Sequence, residues 1–229
     1  MSEKRFAYDG GVWDRKFKEG WGDSKEPELR LLKFVEDYKE EIGPKILDLG
    51  SGEGRHLIPL AKMGYAMTGM EFTEQGVKIT GQKAEKEGVK VNLVRGDFRE
   101  LPFKPEEFDT IVCTSVLHHN NWEGLRMAFA EAAKVLKPDG LFFLKARSDK
   151  KPLKKGETLI EDKGRTSQIT NEHGIIEVHH DLSLDELKEL AEENSLEFAE
   201  EPVDEKEVKD GAPVSGHWSI VFRKKEIPK

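Results

Sequence analysis

The sequence predicts an α/β fold in which an open, mostly parallel sheet carries helices on both faces. Three observations predict it. The apolar run Lys45-Ile46-Leu47-Asp48-Leu49 opens at once into Gly50, Gly52 and Gly54 at alternate positions. That is the pattern of a buried strand turning into a ligand-sized loop, where any Cβ would collide. A second strand pattern, Tyr65 to Met70, ends in Glu71, about 20 residues past the loop, where such folds hydrogen-bond ribose hydroxyls. Three more strand patterns follow at Val91–Val94, Phe108–Ser115 and Leu141–Leu144. The expected order is βαβαβαβαβ.

Residues 1 to 26 stand apart from that series and are rich in aromatics and glycines, among them Tyr8, Trp13, Phe17 and Trp21. Trp13 and Phe17 fall on one side of a short helix, and the segment is expected to be an arm that lies over a pocket as a lid. Residues 27 to 229 are expected to form one domain. Ser24 and Pro27 mark a helix start, with Leu29, Leu32, Val35, Tyr38 and Ile42 as its apolar stripe before Gly43-Pro44. A helix over 55–63 follows the glycine loop. The third strand runs into Gly96-Asp97-Phe98, whose acid stands where an adenine amine needs an acceptor; Asp97 also suits capping the turn into Arg99.

Beyond the fifth strand, residues 148 to 182 are polar and read as an insertion, with an edge strand over 174–182. Ser183-Leu184-Asp185-Glu186 is a capping box that starts a helix running to about Asn194. Leu196–Glu200 and Trp218–Arg223 supply the last two strands. The stretch from Glu201 to His217, with Pro202, Gly211, Pro213 and Gly216, reads as a long loop.

Five separated motifs, Asp48 to Gly54, Glu71, Gly96-Asp97-Phe98, Phe108-Asp109 to His119, and Leu136-Lys137-Pro138-Asp139-Gly140, resemble the class I S-adenosylmethionine-dependent methyltransferases. The resemblance spans about residues 29 to 147. It implies a Rossmann-like sheet of seven strands, the last two forming an antiparallel hairpin, with S-adenosyl-L-methionine across the ends of the first four. Nicotinamide dehydrogenases share the loop and an acid like Glu71, but not Gly96-Asp97-Phe98 or the Lys-Pro-Asp-Gly turn. By this resemblance Asp48, Gly50, Ser51, Gly52 and Gly54 surround the methionine portion of the donor. Glu71 takes the ribose, Asp97 and the Phe98 amide take the adenine, and Thr114, Ser115 and Leu117 lie near the sulfonium.

Methyl transfer is an in-line displacement, so alignment of acceptor and donor dominates, and a general base is optional. His118 and His119 are the candidate catalytic residues, because an unperturbed imidazole titrates near neutrality. Tyr8, Trp13, Trp21, His119 and Asn120 are the candidate acceptor contacts. His173, His179, His180 and Asp181 invite a metal reading, but adjacent strand histidines point to opposite faces and no metal is expected.

The net charge of −8 disfavours nucleic acid as a partner. A cation-rich stretch, Lys145 to Lys155, is the local exception; it reads as a solvated loop, or, for a protein or RNA acceptor, as a docking rim. No apolar run is long enough to span a bilayer, and the chain is expected to be cytoplasmic, a monomer or homodimer. The expected function is methyl transfer to a small-molecule acceptor. Alternatives are a protein or RNA methyltransferase, or a non-catalytic S-adenosylmethionine-binding regulator. Cys113, the single cysteine, is expected in the core.

Overall fold

The structure, a computed structural model, describes residues 10–20, 26–150, 153, 155–160, 165–170, 176–209 and 212–226. Two helices, α1 (Gly10–Lys18) and α2 (Leu29–Asp37), precede β1 (Lys45–Leu49). Then come α3 (Leu57–Lys62), β2 (Ala66–Glu71), α4 (Glu74–Lys86), β3 (Asn92–Arg95), β4 (Phe108–Thr114), α5 (Trp122–Val135) and β5 (Leu136–Arg147). The remainder is β6 (Thr158–Leu159), β7 (Arg165–Thr170), β8 (Ile176–Asp181), α6 (Leu184–Glu193), β9 (Leu196–Phe198), β10 (Val203–Lys209) and β11 (Ala212–Lys224).

The central sheet runs β3-β2-β1-β4-β5-β11-β10, parallel from β3 to β5 and antiparallel at β11. Strand order reverses at β1, whose two neighbours are β2 and β4, and ligands collect beyond strand ends at such a point. The sheet holds eight strands within seven lanes, because β9 and β10 both pair with β11 opposite β5. The expected long loop from Glu201 to His217 is therefore corrected: it is the β10–β11 hairpin, with a register shift at Glu207/Val208. Pro213 is tolerated because it lies where β11 runs past the end of β5 and pairs with β10 alone.

Alternation along the strands splits the core between two faces. Leu47, Ile111, Cys113 and Phe142 pack with Leu125 and Phe129 of α5 and Leu187 and Leu190 of α6. Ile46, Val112 and Phe143 face the other way, onto Leu31, Phe34 and Val35 of α2 and Leu57 and Leu60 of α3. The expected stripe on α2 is off by its first members, since Leu29 is 80% exposed and Leu31 lies in the core. The third crossover departs from the expected order, for Gly96 to Glu107 form turns without a helix. Pro102 and Pro105 interrupt any helical run there, while Phe98 and Leu101 anchor it to the core.

The insertion folds as its own antiparallel sheet, β6-β7-β8, so the edge strand expected at 174–182 pairs with β7 and not with the central sheet. Ser148 and Leu182 bridge its two ends. The capping box at Ser183 and Glu186 is present. Trp218 is a core anchor whose Nε1 donates to the Leu182 carbonyl at 2.7 Å. Among the described residues no helix is long and apolar enough to cross a membrane.

Candidate active site

The glycine loop is shaped by close approach. Gly50 has φ +80°, and a Cβ there would lie 2.4 Å from the Val116 side chain. Gly54, with φ +81°, would meet Thr80 at 2.8 Å. The amides of Gly50 and Ser51 donate to the Met70 carbonyl at 2.8 and 3.0 Å, and the Thr80 hydroxyl donates to the Gly52 carbonyl at 2.8 Å. The loop is thus clamped between β2 and α4, which fixes its remaining polar groups toward the strand ends.

Glu71, at the tip of β2, receives the Gly52 amide at 3.1 Å and the Thr73 amide and hydroxyl at 2.9 and 2.8 Å. Burial raises its pKa above the ordinary carboxylate value against these bonds. The Phe72 amide adds to these donors, so the carboxylate is held in one orientation at the strand tip. Asp48 is buried at the end of β1, and burial pushes it up to about 7. Asp48 Oδ2 and Ser51 Oγ are buried with no hydrogen-bond partner among the described residues. Such groups are costly unless a ligand engages them.

A hollow opens above the loop, lined by Gly50, Ser51, Gly52, Glu71, Thr114, Ser115, His119, Trp13 and Phe17, with Arg55 and His56 at its floor. A smaller hollow shares Gly50, Glu71 and Val116 with it and adds Phe98, Gly96 and Met70. Ser115, at the tip of β4, sits at φ +60°, a strained conformation for a non-glycine residue. It re-aims the chain so that Val116 covers Gly50.

The floor is set by a fixed tautomer. His56 Nε2 accepts the Glu28 amide at 3.4 Å, so its proton lies on Nδ1 and is shared with the Thr114 hydroxyl at 3.0 Å. Burial, with Arg55 adding to it, drives His56 down to about 3 and keeps it neutral. The Glu28 carboxylate pairs with Arg55 at 3.2 Å and Lys145 at 2.8 Å, and Lys145 also pairs with Glu205 at 3.0 Å. The segment before α2 is in this way tied to both β5 and β10.

The roof is α1. Trp13 meets His119 edge-on at 5.0 Å, and Asp14 Oδ1 accepts the Gln75 amide at 3.1 Å in the first turn of α4.

The structure gathers Trp13, Gly50, Ser51, Gly52, Glu71, Thr114, Ser115 and His119 around one hollow, with Phe98 beside it. Asp97 lies outside both hollows and is bound to Arg99, whose amide it also accepts at 2.9 Å. Leu117 lies in the core cluster, and His118 and Asn120 are buried outside the lining. His118 Nδ1 accepts the Arg147 amide at 3.4 Å, and burial holds that ring far below the ordinary imidazole pKa. Tyr8, Trp21 and His173 lie outside the described residues. Sequence reasoning missed Arg55 and His56, whose position right after the third glycine was their only signal.

Neither the solvated loop nor the alternative docking rim over Lys145 to Lys155 holds at its first members. Lys145 and Arg147 point inward onto carboxylates, Arg147 between Asp181 and Glu157, and Lys150 pairs with Asp204 while lying over Trp218. Paired cations of this kind are withheld from a phosphate backbone.

Residues 46–140 match the methyltransferase domain family. The uncharacterized methyltransferase YcgJ of Bacillus subtilis is 33% identical over 101 residues, 44% of this chain and 39% of that protein. A 23S rRNA (uracil(747)-C(5))-methyltransferase of Pyrococcus abyssi is 38% identical over 77 residues, 34% of this chain and 18% of that one. The chain thus spans well under two thirds of either relative. Among solved structures, a Burkholderia thailandensis 1,6-didemethyltoxoflavin-N1-methyltransferase with bound S-adenosylhomocysteine superposes with TM-score 0.69 at 19% identity, covering 95% of this chain and 87% of that one.

Proposed function

Since this chain carries a class I, S-adenosylmethionine-dependent methyltransferase domain, we propose that it transfers the donor's methyl group to a small-molecule acceptor. The observation that carries the reading is the single hollow joining the glycine loop, Glu71 and the β4 tip under the aromatic roof of α1. The residues suit the donor. Glu71, fixed at the tip of β2 and lining the hollow, suits a ribose hydroxyl, and Ser51 Oγ and Asp48 Oδ2 are buried polar atoms awaiting partners. Phe98 and Met70 give the smaller hollow the apolar lining that a purine face takes. S-adenosylmethionine, when bound, supplies the activated methyl carbon.

The protein's own share is alignment and exclusion of water. Trp13 and Phe17 cover the hollow, and Thr114 and Ser115 fix its floor. Holding the reactants at attack distance supplies about 7–11 kcal/mol of the barrier reduction. A small acceptor is supported by the roof of α1, the net charge of −8 and the inward pairing of Lys145 and Arg147. Asp97 is assigned to holding the 97–99 turn, leaving the Phe98 amide as the polar contact for adenine. The arm up to residue 26 is assigned the part of a lid.

Calorimetry with S-adenosylmethionine and S-adenosylhomocysteine is the test, followed by transfer of labelled methyl to a panel of small acceptors, tRNA and histone peptides. Competitive binding of both ligands at one site and label on a small acceptor is the expected result. Binding of a nicotinamide dinucleotide in their place, or label only on RNA or peptide, overturns the reading.

A further inference from the structure

Beyond the donor hollow, four histidines from three parts of the chain come together. His118 and His119 follow β4, His179 comes from the insertion's β8, and His217 from β11. Ring centroids lie 4.5 Å apart for His118–His119, 4.8 Å for His119–His179, and 6.1 and 6.3 Å from His118 to His179 and His217. They are not equivalent. His118 is buried and uses Nδ1 to accept a backbone amide, so it is a structural ring. His119 alone of the four lines the hollow. Behind it His179 Nδ1 stands 3.5 Å from Glu157 Oε1, and Glu157, fully buried, is held by Arg147 at 3.1 Å. Arg147 is held in turn by Asp181. On the other side His179 Nε2 lies 3.9 Å from Glu177, which pairs with Lys16 of α1 at 3.1 Å.

We infer that the insertion backs the reacting histidine with a carboxylate-supported partner: His119 takes a proton from the acceptor, and His179 with Glu157 positions that imidazole and stabilises its charged form. The inference rests on the methyl-transfer reading and deepens it by naming an acceptor class. A base is useful only where the attacking atom carries a proton that water removes poorly at neutral pH, as a phenol-type hydroxyl does, with an ordinary pKa near about 10. Trp13 and Phe17, which line the hollow together with His119, give the ring of such an acceptor an apolar contact. In the step His119 accepts the hydroxyl proton while the oxygen bonds to the methyl carbon. The carbon–sulfur electron pair returns to sulfur, leaving a neutral thioether, and the proton leaves His119 for solvent. His119 is the catalytic residue, and His179 and Glu157 are positioning residues.

The groups facing this pair are Glu157, Glu177, Lys16, His118, His217, Arg147 and Asp181, and a carboxylate within about 4–6 Å favours the charged imidazole. The test is ring-nitrogen NMR of the full chain saturated with S-adenosylhomocysteine, titrated from pH 5 to 9. In the parent the His119 and His179 resonances shift together. Glu157→Gln moves both midpoints to lower pH, and His179→Asn moves that of His119 alone. Labelled-methyl transfer to a phenol panel should lose its rise with pH in His119→Asn. His119 midpoints identical in parent, Glu157→Gln and folded His179→Asn protein overturn the inference, as does unchanged transfer in His119→Asn. Failure of S-adenosylhomocysteine to bind sinks the methyltransferase reading itself, whereas binding with unlinked histidines sinks only this inference.

Discussion

Lys16 on α1 pairs with Glu177 on β8 at 3.1 Å, across 161 positions of sequence. The roof of the hollow is therefore latched to the insertion, and Lys16 also lies over the Trp13 ring at 4.4 Å. Both partners are partly exposed, so Lys16→Ala should change global stability by no more than about 1 kcal/mol. Amide exchange within α1 should nonetheless quicken, and S-adenosylhomocysteine should slow it again. Exchange in α1 indifferent to both the substitution and the ligand refutes the lid.

Glu71→Ala removes the carboxylate proposed to accept from the ribose and should weaken S-adenosylmethionine binding by about 1.5–3 kcal/mol. Isothermal calorimetry measures it directly. Because Glu71 also braces Gly52 and Thr73, a Glu71→Gln control separates loss of charge from loss of the brace. Equal affinity in all three proteins removes Glu71 from the donor site.

Asp48, pushed up to about 7 by burial, holds a proton at mildly acid pH until a positive charge approaches. Binding of the cationic donor at pH 6.5 should thus release a fraction of a proton, seen as a dependence of binding enthalpy on buffer ionisation. S-adenosylhomocysteine, which lacks the sulfonium charge, should release less. Asp48→Asn should abolish the dependence.

His56 gives the fold an acid weakness. Its neutral ring is the folded form, with a pKa lowered from 6.5 to about 3, so the unfolded chain takes up a proton through that window and the folded chain does not. Stability tied to this group is complete above 6.5 and falls as pH drops toward 3, by about 2 kcal/mol at pH 5. Melting curves of His56→Asn against pH should be flatter than the parent's between pH 6.5 and 4. Parallel curves dismiss the assignment.

Arg147→Met leaves Asp181 and Glu157 buried without their cation and should cost about 3–5 kcal/mol. Lys150→Met, at a side chain 58% exposed, should stay within about 0.5 kcal/mol. Urea unfolding compares the two.

The parts of the fold legible in the sequence are those encoded locally. The strand before Gly50 and the acid at Glu71 announce themselves by short-range spacing, and the box at Ser183 and Glu186 by a four-residue pattern. The β10–β11 hairpin is hidden because Pro202, Pro213 and Gly216 imitate a loop, and Pro213 is allowed where β11 pairs with β10 alone. Leu29 and Leu31 both fit a helical stripe within one turn, and only the packing chooses Leu31. The cations at Lys145 and Arg147 are visible in the sequence, but their partners Glu28, Glu205, Glu157 and Asp181 are scattered along the chain, so a paired interior reads as a basic rim. His56 was overlooked for the same reason, since Glu28 and Thr114 define its role from afar.

Cys113 is fully buried in β4, and burial raises its thiol pKa far above the ordinary value. Thiolate is the reactive form, so thiol-directed dyes and spin labels should leave the folded protein untouched. Because the chain has no other cysteine, a single cysteine placed on the outer face of α1 and another on β8 would form a two-site probe without first removing the native thiol. The distance between roof and insertion then becomes directly readable by fluorescence or paramagnetic spectroscopy as ligands come and go.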